Sequence, residues 1–165
     1  MAIKDALLPE FDHEMAVTRR VLERVPMADA AWKPHEKSMS LGALAAHLAD
    51  IPRWTSTILE KPGYDMATGK AAPQEEYPSV EALLDAFDAH VKGSRALIAT
   101  RSDAEMLAPW TLSAGEHVVF TQPRVGALRG FLFSHSIHHR GQLSVYLRLR
   151  NVPVPSIYGP SADER

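Results

Sequence analysis

Between Val125 and Arg150 the residues Leu128, Leu132, His135, His139, Gln142 and Tyr146 recur at steps of three and four. That spacing places all six on one stripe of an α-helix. Phe131, Leu143 and Leu149 flank the stripe, so its inward face is apolar apart from two imidazoles and an amide. Such a helix has to bury its stripe against other helices. It also has to satisfy two ring pairs of nitrogens, because burying them without partners is costly. This is the best-defined element of the chain, and the rest of the fold must be built around it.

Three further helical segments supply the partners. The first runs from about Asp5 to Val25, with Leu7, Leu8, Phe11, Met15, Val21, Leu22 and Val25 approximating helical spacing. Glu14, Arg19, Arg20 and Glu23 are expected in solvent, and Pro26 marks the end. The breaker-rich loop WKPHEKSMS follows. The second segment starts after Ser38 or Ser40, either of which can cap it. Leu41, Leu44, Leu48, Ile51, Thr55 and Ile58 form its face. Pro52 lacks the N–H to bond the Leu48 carbonyl, so it should kink this helix or end it and begin another. The third segment runs from Ser79, a capping serine, to about Arg101, with Val80, Leu83, Leu84, Phe87, Val91 and Leu97 inward.

Two interruptions stand between these helices. Residues 60–78 carry three prolines and two glycines without periodicity, which suits a long crossover between bundle helices or a lid over a site. In residues 108–124, Trp110–Leu112 and His117–Thr121 are short β-prone runs around Ala114 and Gly115, the pattern of a small hairpin. The tail NVPVPSIYGPSADER should be extended and either pack on the bundle or stay mobile. The expected fold is an all-α four-helix bundle with a long crossover between helices two and three and a β-hairpin before helix four. At 165 residues it forms a single domain, 1–165.

Composition removes several function classes. The chain has no cysteine, hence no disulfide, no thiolate metal site and no cysteine nucleophile. Any thiol chemistry needs a thiol brought by a cosubstrate. Eighteen basic and 20 acidic side chains give a formal charge of −2. That balance makes no whole-chain case for nucleic acid or an acidic membrane. No apolar run approaches the ~18 residues of a membrane span. The N-terminal stretch holds Asp5, Glu10, Asp12 and Glu14 and lacks the features of a signal peptide, so a cytoplasmic protein is expected. The P-loop, the dinucleotide-binding glycine pattern, the nucleophile elbow and the di-iron Glu-x-x-His pairs are absent. Ser136 stands where a zinc protease of the His-Glu-x-x-His type has its glutamate.

The histidines carry the chemistry. His135 and His139, four residues apart, can share a metal ion through their ring nitrogens. A pair at this spacing also occurs as a plain surface or interface feature. His47 is the best candidate for a third ligand, at the edge of the second helix's apolar face, four residues before Ile51 and seven before Trp54. Three histidines leave a fourth coordination position open for water or substrate, which is the catalytic rather than the structural zinc pattern. Zinc or nickel suits such a set, with iron or manganese as further options.

Around this set, Gln142 can hydrogen-bond an imidazole or make a buried contact between helices. Asp50 can orient His47 or stand in solvent. His138 points about 60° off the stripe and reads as a supporting or helix-contact residue. Trp54, Tyr146 and Trp110 read as core or pocket wall. Arg140 and Arg148 can pair with carboxylates, hold the tail or recognise an anion. Tyr158 can reach back toward the site. His13, His35, His90 and His117 read as surface or loop residues.

The run His135-Ser-Ile-His-His139-Arg-Gly-Gln142-Leu, followed by Pro153-Val-Pro155 and Tyr158-Gly-Pro160, resembles the closing signature of the DinB-like metal-binding four-helix proteins. Trp32-Lys-Pro34, Ser40-Leu-Gly and His47 upstream fit the same family, and the likeness covers nearly the whole chain. The resemblance implies a four-helix bundle, commonly a homodimer, with a divalent metal held by His47, His135 and His139. It also implies kinship with thiol-dependent transferases or isomerases that use low-molecular-weight thiols such as mycothiol, bacillithiol or glutathione. The expectation is therefore a metal-dependent enzyme acting on a small electrophile. The alternatives are a non-catalytic metal-binding stress-response protein and a dimeric interaction module.

Overall fold

The computed structural model describes residues 1–69 and 76–164. Helix α1 spans Ile3–Leu22. Its buried side is the expected one, Leu7, Phe11, Met15, Val21 and Leu22, but it also takes in Thr18 and Glu14. Glu14 is only 6% exposed, so its expected place in solvent is wrong. It follows Phe11 by three residues and precedes Val21 by seven, which is the spacing of the inward stripe.

Helix α2, Leu41–Asp50, starts at Ser40, whose hydroxyl accepts the Ala43 N–H at 3.1 Å. Pro52 then ends it: Ile51–Arg53 tighten into a 3-10 turn, and α3 restarts at Trp54–Glu60. Helix α4, Val80–Thr100, is capped by Ser79, which accepts from the Ala82 N–H at 3.1 Å. Replacing Ser79 with Ala should lower stability by about 1 kcal/mol, because that N–H loses its partner. In urea unfolding this is a lower midpoint at unchanged slope; an unmoved midpoint would show that the cap contributes nothing.

A short helix α5, Asp103–Leu107, precedes the hairpin of β2, Pro109–Ala114, and β3, His117–Pro123. The chain turns at Gly115, whose φ is +62°. Trp110 on β2 is fully buried and donates from its indole N–H to the Thr57 carbonyl of α3 at 3.2 Å. The stretch expected to be without structure holds a third strand, β1, Gly63–Asp65, which runs parallel to β2 in register Gly63 with Thr111. Only glycine permits this approach, since a Cβ at position 63 would lie 2.4 Å from the Thr111 carbonyl oxygen. Three residues are too few for a period, and their partner lies far along the chain. Whether a lid or a crossover forms over 70–75 lies outside the described residues.

The last helical run has three parts. Helix α6, Arg124–Leu128, leads into a π-helical turn, Arg129–Ser134, and this into α7, His135–Leu149. A continuous helix was expected there, and the π turn has no mark in the residue pattern. Helix α1 packs on α4 and α7, and α2 packs on the same two, so the four helices form a ring with α1 and α2 on opposite corners. The core lies inside that ring and continues under the sheet. The tail packs rather than hangs free. Val154 is buried, Asp163 pairs with Arg148, Glu164 pairs with Arg24, and Arg20 donates to the Ser156 carbonyl. Among the described residues no helix is long and apolar enough to cross a membrane.

Candidate metal centre

Neighbouring packing of α2 and α7 brings His47, in the last turn of α2, against the first two turns of α7. His135 opens α7, and His139 follows one turn later. One ring nitrogen from each of the three lies within 4.8 Å of the others. The Nε2 atoms of His47 and His135 are 3.2 Å apart, and ring centroids across the triad are 4.6 to 5.0 Å apart.

The donor set fits a divalent ion. Two nitrogens at roughly 2.0–2.1 Å from a tetrahedral ion stand about 3.3–3.4 Å from each other. The His47–His135 edge is close to that span. Two nitrogen lone pairs this near repel each other unless a proton or a cation lies between them. Among the described residues no carboxylate joins the three histidines, so the cluster there offers three candidate ligands.

Electrostatics also favours the neutral, ligating form. Burial lowers the pKa of all three rings, and neighbouring imidazoles add to the effect: His139 for His47; His139, His47 and His138 for His135; His138 for His139. His135 falls furthest, to about 4. For His139 the hydrogen bond to Gln142 opposes the burial. Because these values are lower in the folded chain, the unfolded chain takes up protons first as pH drops. Metal-free protein should therefore lose thermal stability from about pH 6.5 down to about 4. His135→Ala should flatten that profile. A metal-free Tm independent of pH over this range would contradict the burial argument.

The other residues singled out in the sequence are distributed as follows. Gln142 is exposed and accepts at Oε1 from His139 Nδ1 at 2.8 Å. His138 is exposed, with its ring 4.8 Å from that of His139. Trp54 is half-buried between the rings of Tyr64 and Phe131, at 5.0 and 5.1 Å. Tyr146 donates to the Met39 carbonyl at 3.3 Å and meets Trp32 edge-on. Asp50 accepts from the Tyr77 hydroxyl at 3.2 Å and lies 3.7 Å from His90 Nδ1. His90 is half-buried against α2 rather than loose at the surface, with Nδ1 3.1 Å from the Ala49 carbonyl.

Arg140 and Tyr158 do not belong to the histidine cluster. Arg140 is 1% exposed and pairs with Glu14 of α1 at 2.7 Å. It also donates to the Glu14 carbonyl, to Thr18 Oγ1 and to the Tyr158 hydroxyl, which itself donates to Glu14. The partners Glu14 and Thr18 were not anticipated. The signal was present in the sequence, since a carboxylate sat at an inward position of an apolar stripe. Two clefts of about 480 and 570 Å³ open elsewhere, one beside the start of α2 and one between α3 and α4, and none of the three histidines lines either.

Fold and site together define a helical-bundle protein with a three-histidine cluster on two neighbouring helices. The model of the DinB family matches residues 1–165, and the chain belongs to that family. It is 27% identical to the uncharacterized protein YrdA of Bacillus subtilis over 164 residues, covering 97% of this chain and 90% of that protein. A DinB-like protein of Bacillus cereus has the same fold, with a TM-score of 0.71 at 16% identity over 95% of this chain and 98% of its own. The DinB-like protein YjoA of Bacillus subtilis gives a TM-score of 0.68 at 20% identity, over 97% and 99%.

Proposed function

We propose that the protein is a divalent-metal-dependent enzyme that joins a low-molecular-weight thiol to a small electrophile, as a transferase, with hydrolysis as the variant in which water replaces the thiol. The observation that carries this reading is the convergence of three imidazoles, with no fourth candidate ligand beside them among the described residues. Zinc or nickel would be held by His47, His135 and His139, with iron or manganese also suited to imidazoles. When bound, such an ion supplies a positive charge that favours the thiolate over the thiol at neutral pH.

The chain's own residues do the rest. They hold the three nitrogens in place, and partial burial of the rings excludes part of the surrounding water. With no cysteine in the chain, the sulfur nucleophile has to come from outside. Its sulfur forms a bond to the electrophilic carbon as the bond to a leaving group, the strained C–O bond of an epoxide or the π bond of an alkene breaks; the thiol proton passes to solvent, and in the last two cases the freed oxygen or carbon takes one up. A homodimer is proposed with this function. Ile137, Val145 and Leu149 on α7 are 36%, 56% and 54% exposed, which is a large apolar expense to leave in water. Sedimentation showing only monomer at micromolar concentration would remove the dimer.

The enzyme reading is tested by loading the protein with each metal in turn and screening mycothiol, bacillithiol and glutathione against an aryl halide, an epoxide and an activated alkene. Thiol consumption that requires metal and disappears in His135→Ala/His139→Ala is the expected result. Metal-loaded protein inactive with every pair would favour the non-catalytic reading.

A further inference from the structure

A neutral imidazole has one N–H and one lone pair, and the group that meets one nitrogen decides which form the other takes. For His139 that group is Gln142. Its Oε1 lies 2.8 Å from Nδ1, and an amide oxygen only accepts, so Nδ1 carries the proton and Nε2 keeps its lone pair. Gln142 is exposed, and it lies three residues on, within reach on the same helix face.

We propose that Gln142 is a positioning residue that presets His139 with Nδ1 protonated and the Nε2 lone pair free for a ligand, before any ion arrives. The inference rests on the metal-site reading above. It goes further in assigning the ring form of His139 and the group that imposes it. Its consequence is that the ion meets this lone pair ready, with no tautomer exchange required at His139 on binding.

Two measurements test it. Long-range proton–nitrogen correlation spectra of the metal-free wild type read the tautomer directly. The His139 ring is expected protonated at Nδ1, and protonation at Nε2 overturns the assignment. The second measurement compares Gln142→Leu with Gln142→Glu, both at an exposed position. Gln142→Leu removes the acceptor and should weaken zinc and cobalt binding about 10- to 100-fold. It should also alter the visible spectrum of the cobalt form while leaving the metal-free Tm and circular dichroism unchanged. Gln142→Glu keeps an acceptor and should restore both affinity and spectrum. Wild-type affinity and spectrum in Gln142→Leu would overturn the role of Gln142. A wild type that takes up no divalent ion would overturn the metal-site reading itself, so the two failures are distinguishable.

Discussion

Arg140→Met is expected to destabilise the protein by about 3–5 kcal/mol, the range for removing one partner of a buried ion pair. The guanidinium is 1% exposed and donates to the Glu14 carboxylate and carbonyl, to Thr18 and to Tyr158. Methionine fills much of the same space but leaves the Glu14 carboxylate buried, with only the Tyr158 hydroxyl to donate to it. For a chain of this length the Tm should fall by roughly 6–20 °C. The double variant Glu14→Gln/Arg140→Met should recover part of the loss, because it removes the stranded charge. A double variant no more stable than Arg140→Met alone would mean that the loss comes from packing and not from the unpaired carboxylate. Three parts of the chain meet at this network: α1, α7 and the tail. The residue next to Arg140 is His139, so the pair also fixes the rotation of the helix that carries two of the three histidines.

The second large effect concerns the metal. Wild-type protein purified without chelator and without an immobilised-metal column should carry about one divalent ion per chain, and His135→Ala/His139→Ala should carry none. The double variant should stay folded. The three rings are half-buried on the rim of the α2–α7 contact, and the core inside the ring of helices does not include them. At a free metal concentration 1,000-fold above its Kd, the ion adds about 4 kcal/mol to the wild type and nothing to the variant. Chelation should therefore lower the Tm of the wild type alone. Unfolding of the double variant in the absence of metal would assign the histidines a structural role instead. An empty wild type that cannot be reloaded with zinc, nickel, manganese or iron would end the enzyme reading.

Much of the fold and of the site was legible in the residues. Periodicity located the four long helices, and Ser40 and Ser79 marked two starts because their hydroxyls accept the N–H groups that a helix leaves unpaired. Pro52 marked the break between α2 and α3 because it has no N–H to give. His135 and His139 were readable as neighbours because four residues is one helical turn. His47 was readable as the best candidate for a third ligand, at the edge of another helix's apolar face, but its distance from the pair was not.

Other features had no local signature. The pairing of β1 with β2 joins residues far apart in the chain, and nothing within Gly63–Asp65 announces a partner. Glu14 has the same chemistry in water or in a core, and it is buried only because Arg140 arrives from α7 to meet it. The π turn shifts the backbone ladder by one residue, which a side-chain pattern at steps of three and four does not register.

By itself the sequence determined where the long helices lie, that the second breaks at Pro52, and which side of each is apolar, since those properties depend on neighbours within a turn. It also determined that no thiolate ligand and no cysteine nucleophile comes from this chain. Only the tertiary structure decided that α2 lies beside α7, and hence that His47 meets His135 at 3.2 Å. It alone decided that Arg140 faces α1 while the histidines one residue and one turn away face α2. The reason is that a helix presents all its faces at once, and which face meets which partner is settled by how several helices share one core.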